Sequence, residues 1–200
     1  MGLRSQPVAV EALVVGLGNP GRPYEGTPHN VGYAVVERLA RRHGYPRAKR
    51  AYDGRAAEGR IAGSAVLLLE PTTFMNLSGR SVAAALRATK LAADRLLVVH
   101  DHIDLPFGRL RLAAGGGSGG HNGLKSISGL IGPEYHRLRV GVDRPPSTDP
   151  DVVADYVLSP FAEPRAEVEA LVERAADAVE LWVELGLEEA ANRLNEPPAG

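Results

Sequence analysis

Two short, uninterrupted apolar runs constrain the fold of this chain more than any other feature: residues 12–18 (ALVVGLG) and residues 95–101 (RLLVVHD). A strand without polar alternation is buried on both faces, and such strands belong to sheets covered by helices on both sides. Helical periodicity fills the intervals. Val31, Val35, Val36, Leu39 and Ala40 recur at helical spacing after Thr27, a good N-cap, and Pro28, which suits the first helical position. Val82, Leu86 and Leu91 place a helix over residues 77–93, and a short one is expected over 122–130. Residues 163–185 read as the longest amphipathic helix, with Val168, Leu171, Val172, Ala175, Val179 and Trp182 on one stripe; residues 187–194 form a short last helix. Alternation predicts half-buried strands at 109–113 and at 136–142, the latter with Leu138, Val140 and Val142 inward. Residues 60–62 and 65–70 flank Gly63-Ser64 as a hairpin, and 145–150 read as a loop. Apolar strands alternating with helices predict a single α/β domain over residues 1–200, a mixed central sheet with helices on both faces. Residues 1–9 and 196–200 are expected to lie outside the ordered fold.

Two hundred residues can bury roughly 70% of their unfolded surface, enough for a core without staples. The absence of Cys excludes disulfides, thiolate metal sites and a cysteine nucleophile. The longest strongly apolar run, residues 65–69, is far short of the roughly 20 residues of a membrane span, and residues 1–10 lack a signal-peptide core. A cytoplasmic protein is the expectation. The net charge of −1 conceals a division: residues 163–200 carry −7 and residues 1–162 carry +6. A basic body is compatible with a polyanionic partner, and 20 of the 23 basic residues are Arg, which contacts phosphate well.

Four polar clusters follow the predicted strands or open helices, the positions where ligands sit in α/β sheets. They are 16–30 (GLGNPG…TPHN), 71–79 (PTTFMNLSG), 100–104 (HDHID) and 115–123 (GGGSGGHNG). The first contains G-x-G-x-x-G but is not a dinucleotide fingerprint. No helix opens at Gly21, and Pro20 removes a backbone N–H that a pyrophosphate would need. A tight turn explains the glycines but leaves Asn19, His29 and Asn30 unexplained. His100, Asp101, His102 and Asp104, with His121, have the composition of a metal box, although a buried strand would turn His100 into the core. The glycine tract could cradle an anion or serve as a connector; without Gly-Lys-Ser/Thr it is no P-loop.

Together the four clusters resemble the bacterial peptidyl-tRNA hydrolase family, with weaker support from HRLRVGV (136–142) and DYVLSPF (155–161). The resemblance spans nearly the whole chain in order. It implies a monomeric enzyme with no obligatory protein partner, no metal and no other cofactor, that hydrolyses the ester between peptide and tRNA and so recycles tRNA lost from ribosomes. By the same resemblance His29 is the base and Asp101 its carboxylate partner, while Asn19 distinguishes N-blocked from free aminoacyl groups. Tyr24, Phe74, Asn76 and Asn122 contact the tRNA end or the peptide, Met75 stands in the cleft wall, and Arg139 lies along the tRNA. The chemistry is coherent: imidazole accepts a proton from water near neutral pH, a carboxylate on its far nitrogen fixes the tautomer, and amide donors receive the oxyanion.

Three positions depart from the family pattern. Pro28 stands where Arg is usual, His102 where an acidic residue is usual, and Ala113 and Ala114 where Lys or Arg is frequent. The tRNA clamp then rests on Arg109, Arg111, Lys125, Arg137 and Arg139. Two other readings compete: a non-enzymatic RNA-binding relative of the same fold, and a metal-dependent hydrolase built on the HDHID box. The presence of Asn19, His29, Asn76, Asp101 and Asn122 together favours the hydrolase over the binding relative, and a chelator titration would separate the metal-dependent reading.

Overall fold

The structure, a computed structural model, describes residues 9–195. The expectation for residues 1–8 and 196–200 lies outside the described residues; Ala9 is described and exposed. Seven strands form one sheet: β1 (Ala12–Gly16), β2 (Lys49–Ala51), β3 (Gly54–Ile61), β4 (Ser64–Pro71), β5 (Leu96–His102), β6 (Leu110–Ala114) and β7 (His136–Gly141). Their order is β2-β3-β4-β1-β5-β7-β6. The four middle strands run parallel; β3 and β6 run against them, and edge strand β2 pairs antiparallel with β3. The two apolar runs are therefore the central pair, with Leu13 opposite Leu96 and Gly16 opposite Val99.

Each central strand feeds two cores, because successive side chains point to opposite faces. Val14, Leu68, Leu97 and Val99 pack with α1 (Val31–Arg42) and α5 (Arg165–Leu185). Leu13, Val15, Leu69 and Val98 pack with α2 (Ser78–Thr89) and α3 (Asn122–Ile131). The mixed sheet with helices on both faces is as expected. Two further helices, α4 (Pro150–Leu158) and α6 (Leu187–Asn195), complete the chain. No helix among the described residues is long and apolar enough to cross a membrane.

Several local expectations change. The hairpin is longer than residues 60–70, because β3 starts at Gly54; its exposed positions are polar, so no apolar run marks it. Helix α4 occupies a segment in which no helix was expected; Asp149 caps it by accepting the Asp151 N–H, with Pro150 at the first position. Thr27 does not cap with its side chain, since its hydroxyl donates to the Tyr24 carbonyl. Residues 28–30 form a 3-10 turn ahead of α1. Helix α2 stops at Thr89, where Lys90 takes a left-handed conformation.

Candidate active site

The site lies where β1 and β5 end, and a close approach of α1 sets its geometry. A Cβ on Gly32 would fall 2.4 Å from the Leu17 nitrogen and 2.5 Å from the Val99 oxygen. Only glycine lets the first turn of α1 lie directly on these two strand ends. The preceding 3-10 turn is thereby held against the end of β5, and His29 meets Asp101, 72 positions away.

His29 Nδ1 stands 3.0 Å from Asp101 Oδ1 and 3.1 Å from Oδ2. With Asp101 ionised, Nδ1 carries the proton and donates, and Nε2 keeps its lone pair. Nε2 has no hydrogen-bond partner among the described residues, and the ring retains 11% exposure, so it can accept a proton from a bound water. Burial alone would lower the imidazole pKa, but the Asp101 charge and hydrogen bond outweigh it and raise the value above 6.5. Burial alone would raise the Asp101 carboxyl. His29 and His121 outweigh it, holding the carboxyl well below the usual range.

Asn19 is fixed on three sides. Its N–H donates to Asn30 Oδ1 and its carbonyl accepts from Asn30 Nδ2, both at 2.9 Å. Its Oδ1 accepts the Met75 N–H at 2.9 Å. With the oxygen committed, the Asn19 amide can only present its Nδ2 donors. Met75 is buried, and its sulfur would lie 2.6 Å from a Cβ on Gly123, so α3 starts against the 3-10 turn at Met75–Leu77. Phe74 (61% exposed), Asn76 and Asn122 surround this contact, and the two asparagine side chains have no hydrogen-bond partner among the described residues.

Tyr24 is half-buried in the 3-10 turn Arg22–Tyr24, and its side chain makes no hydrogen bond to the other site residues. Arg139 is half-buried on β7 opposite Arg111, against Gly116 of the glycine tract; burial and the nearby Arg111 and Arg137 lower its pKa. Arg137 cannot serve as the clamp residue expected from its sequence position. It is fully buried, donates to the Gly117 and Pro133 carbonyls, and lies over the Tyr135 ring. Alternation made it an outward cation, but the face of β7 on which it lies is covered.

The HDHID metal box does not assemble. Buried His100 turns its Nδ1 to the Asp101 carbonyl, and Asp104 pairs with Arg144. The potential ligands that do converge are His29, Asp101 and His121, their atoms within 4.8 Å of one another. His121 Nδ1 already accepts the Gly123 and Leu124 N–H groups as the N-cap of α3. A metal on its Nε2 would leave the ring without any proton, so the bonding in place opposes a cation there.

Two residues that the sequence singled out without their present roles complete the site: Asn30, left unexplained there, braces Asn19, and His121, considered only as a metal ligand, bonds Asp101. Both stand beside predicted residues in the quoted motifs, but their bonds are tertiary.

A family model described as peptidyl-tRNA hydrolase matches residues 13–199. A peptidyl-tRNA hydrolase of Nocardia farcinica is 51% identical over 193 residues, covering 94% of this chain and 98% of its own. One of Rhodococcus erythropolis is 52% identical over 188 residues, covering 92% and 97%. Among solved structures, peptidyl-tRNA hydrolase of Acinetobacter baumannii superposes with a TM-score of 0.84 at 38% identity, covering 96% of this chain and 97% of that one.

Proposed function

The chain belongs to the peptidyl-tRNA hydrolase family, and we propose that His29, held by Asp101, is the general base with which it works. The reaction is hydrolysis of the ester between peptide and tRNA. The observation that carries the assignment is the His29 Nδ1–Asp101 pair, which leaves Nε2 unbonded. Nε2 takes a proton from water as the water oxygen attacks the ester carbonyl carbon. The developing imidazolium is stabilised by the Asp101 carboxylate, whose ionisation is secured by its two histidine partners. The carbonyl electron pair becomes an oxyanion, for which the Asn19 Nδ2 donors and the exposed Asn76 and Asn122 amides are available. Collapse expels the terminal ribose oxygen of the tRNA, which recovers the proton from His29.

Asn19 reads the blocked amino group of the substrate, and the free amides pair with peptide backbone, which would give recognition independent of side-chain sequence. Tyr24 and exposed Phe74 supply apolar faces for the unpaired 3′ end, with buried Met75 behind them in the cleft wall, and Arg139 a phosphate contact. Neither metal nor other cofactor enters the scheme. The protein is taken to act as a monomer, and a substrate generated on ribosomes supports a cytoplasmic site of action. The test is release of peptide from N-acetyl-aminoacyl-tRNA, with unblocked aminoacyl-tRNA as control. Wild-type cleavage confined to the blocked substrate, lost in His29→Ala, is expected. Full activity of His29→Ala would remove the base; tight tRNA binding with no hydrolysis by the wild type would favour a binding module.

A further inference from the structure

His121 has no part in the proton transfers above, yet it is bonded to the group that governs them. We infer that His121 is a positioning residue, a tether from the N-terminus of α3 to the Asp101 carboxylate that holds that carboxylate in the orientation His29 needs. The inference rests on the assignment of His29 and Asp101 as base and partner.

The tether begins with the helix cap. His121 Nδ1 accepts the Gly123 N–H at 3.1 Å and the Leu124 N–H at 3.4 Å, so this nitrogen must present a lone pair. The proton of the neutral ring is therefore on Nε2, which donates to Asp101 Oδ1 at 2.9 Å. A proton on Nδ1 would face two backbone N–H donors. The cap thus decides which tautomer meets the carboxylate, and the backbone of α3 orients the active-site acid through one ring.

Asp101 Oδ1 accepts from both His29 Nδ1 and His121 Nε2. The two rings lie 4.8 Å apart at 42° and converge on the same carboxylate oxygen. Two donors from separate elements, the 3-10 turn before α1 and the start of α3, define its rotation where either alone would not. The other titratable or charged groups nearby do not bond this carboxylate. His100 donates to the Asp101 carbonyl, His102 is on the same strand, Arg139 of β7 lies opposite His100, and Asp104 pairs with Arg144.

Sharing the carboxylate also tunes the base. The donor from His121 disperses part of the negative charge that attracts a proton to His29. Without it, His29 holds its proton more tightly, and the acid limb of the rate profile moves to higher pH.

Two substitutions separate the cap from the tether. His121→Asn keeps a good N-cap but is too short to reach Asp101. His121→Gln is long enough to return an N–H to Asp101 but is a poor cap. The measurements are kcat and KM on N-acetyl-aminoacyl-tRNA across pH, thermal midpoint, and NMR titration of the His29 ring in the free enzyme. For His121→Asn the expectation is a near-native midpoint and a KM changed little. Its kcat should be about tenfold lower, and both the acid limb and the His29 titration should move up by about half a pH unit. His121→Gln should restore the pH behaviour and part of kcat at a lower midpoint. If His121→Asn keeps the wild-type kcat and His29 titration while His29→Ala is inactive, the tether is refuted and the base stands. If both variants lose only thermal stability, His121 is a cap and nothing more. Activity in His29→Ala would instead strike the underlying assignment.

Discussion

Replacing Glu70 by Gln should change the pH dependence of stability by an amount that follows from its surroundings. Glu70, the last residue but one of β4, is 5% exposed, beside a cavity of about 590 Å³ whose rim carries Arg41, Arg47 and Arg50. Burial pushes its carboxyl up from 4.5 to about 7; Arg55, 2.5 Å away, pulls the other way, and Glu37 adds to the rise. The Arg55 side chain is 47% exposed, so its charge is screened by solvent and does not offset the lost hydration of the carboxylate. The folded state therefore binds this proton more tightly than the unfolded chain. Its contribution to stability is full below about 4.5 and is lost as pH rises through about 7. A rise of that size corresponds to about 3 kcal/mol, of which about 2–3 kcal/mol is spent between pH 5 and pH 8. Urea unfolding of wild type and Glu70→Gln across that range measures it: the wild type should lose about 2–3 kcal/mol relative to the variant. Parallel stability curves would show that Arg55 keeps Glu70 ionised in the fold, and the reasoning from burial would fail.

Three further outcomes follow from the site. His29→Ala should lower single-turnover hydrolysis by ~10²–10⁴ with tRNA binding retained; Asp101→Asn should cost less but at least about tenfold, and the double variant should be little worse than His29→Ala, as quench-flow assays would show. Gly32→Ala puts a methyl group into the Leu17 and Val99 backbone, so it should destabilise by about 1–3 kcal/mol and lengthen the His29–Asp101 contact, with activity falling more than the denaturation midpoint alone explains. Arg139→Ala should flatten the dependence of log K for tRNA on log salt by ~0.7–0.9, one phosphate contact, whereas buried Arg137→Met should leave the slope unchanged and lower thermal stability; equal slopes in Arg139→Ala and wild type would remove Arg139 from the tRNA path.

The two apolar runs were sufficient to place the central strands, because a strand buried on both faces has no polar alternation and few other elements share that pattern. Helices α1, α5 and α6 were legible for the same kind of reason: a one-sided apolar stripe records which face is covered. Edge strand β2 and its neighbour β3 carry small and polar residues, so β2 left no such record and β3 only its last residues before the Gly63-Ser64 turn. The motifs named His29, Asp101, Asn19 and Met75, and the structure brings each pair into contact. What the linear pattern could not contain is the set of distances created by folding. Arg137 looks like an exposed cation in an alternating strand, and only the cover over β7 shows it to be buried. His121 looks like one more histidine beside a glycine tract, and only the crossing of α3 over the strand ends makes it a partner of Asp101. Residue types record burial preference one position at a time; which nitrogen donates to which oxygen depends on the relative placement of helices and strands, and that is a property of the packed chain alone.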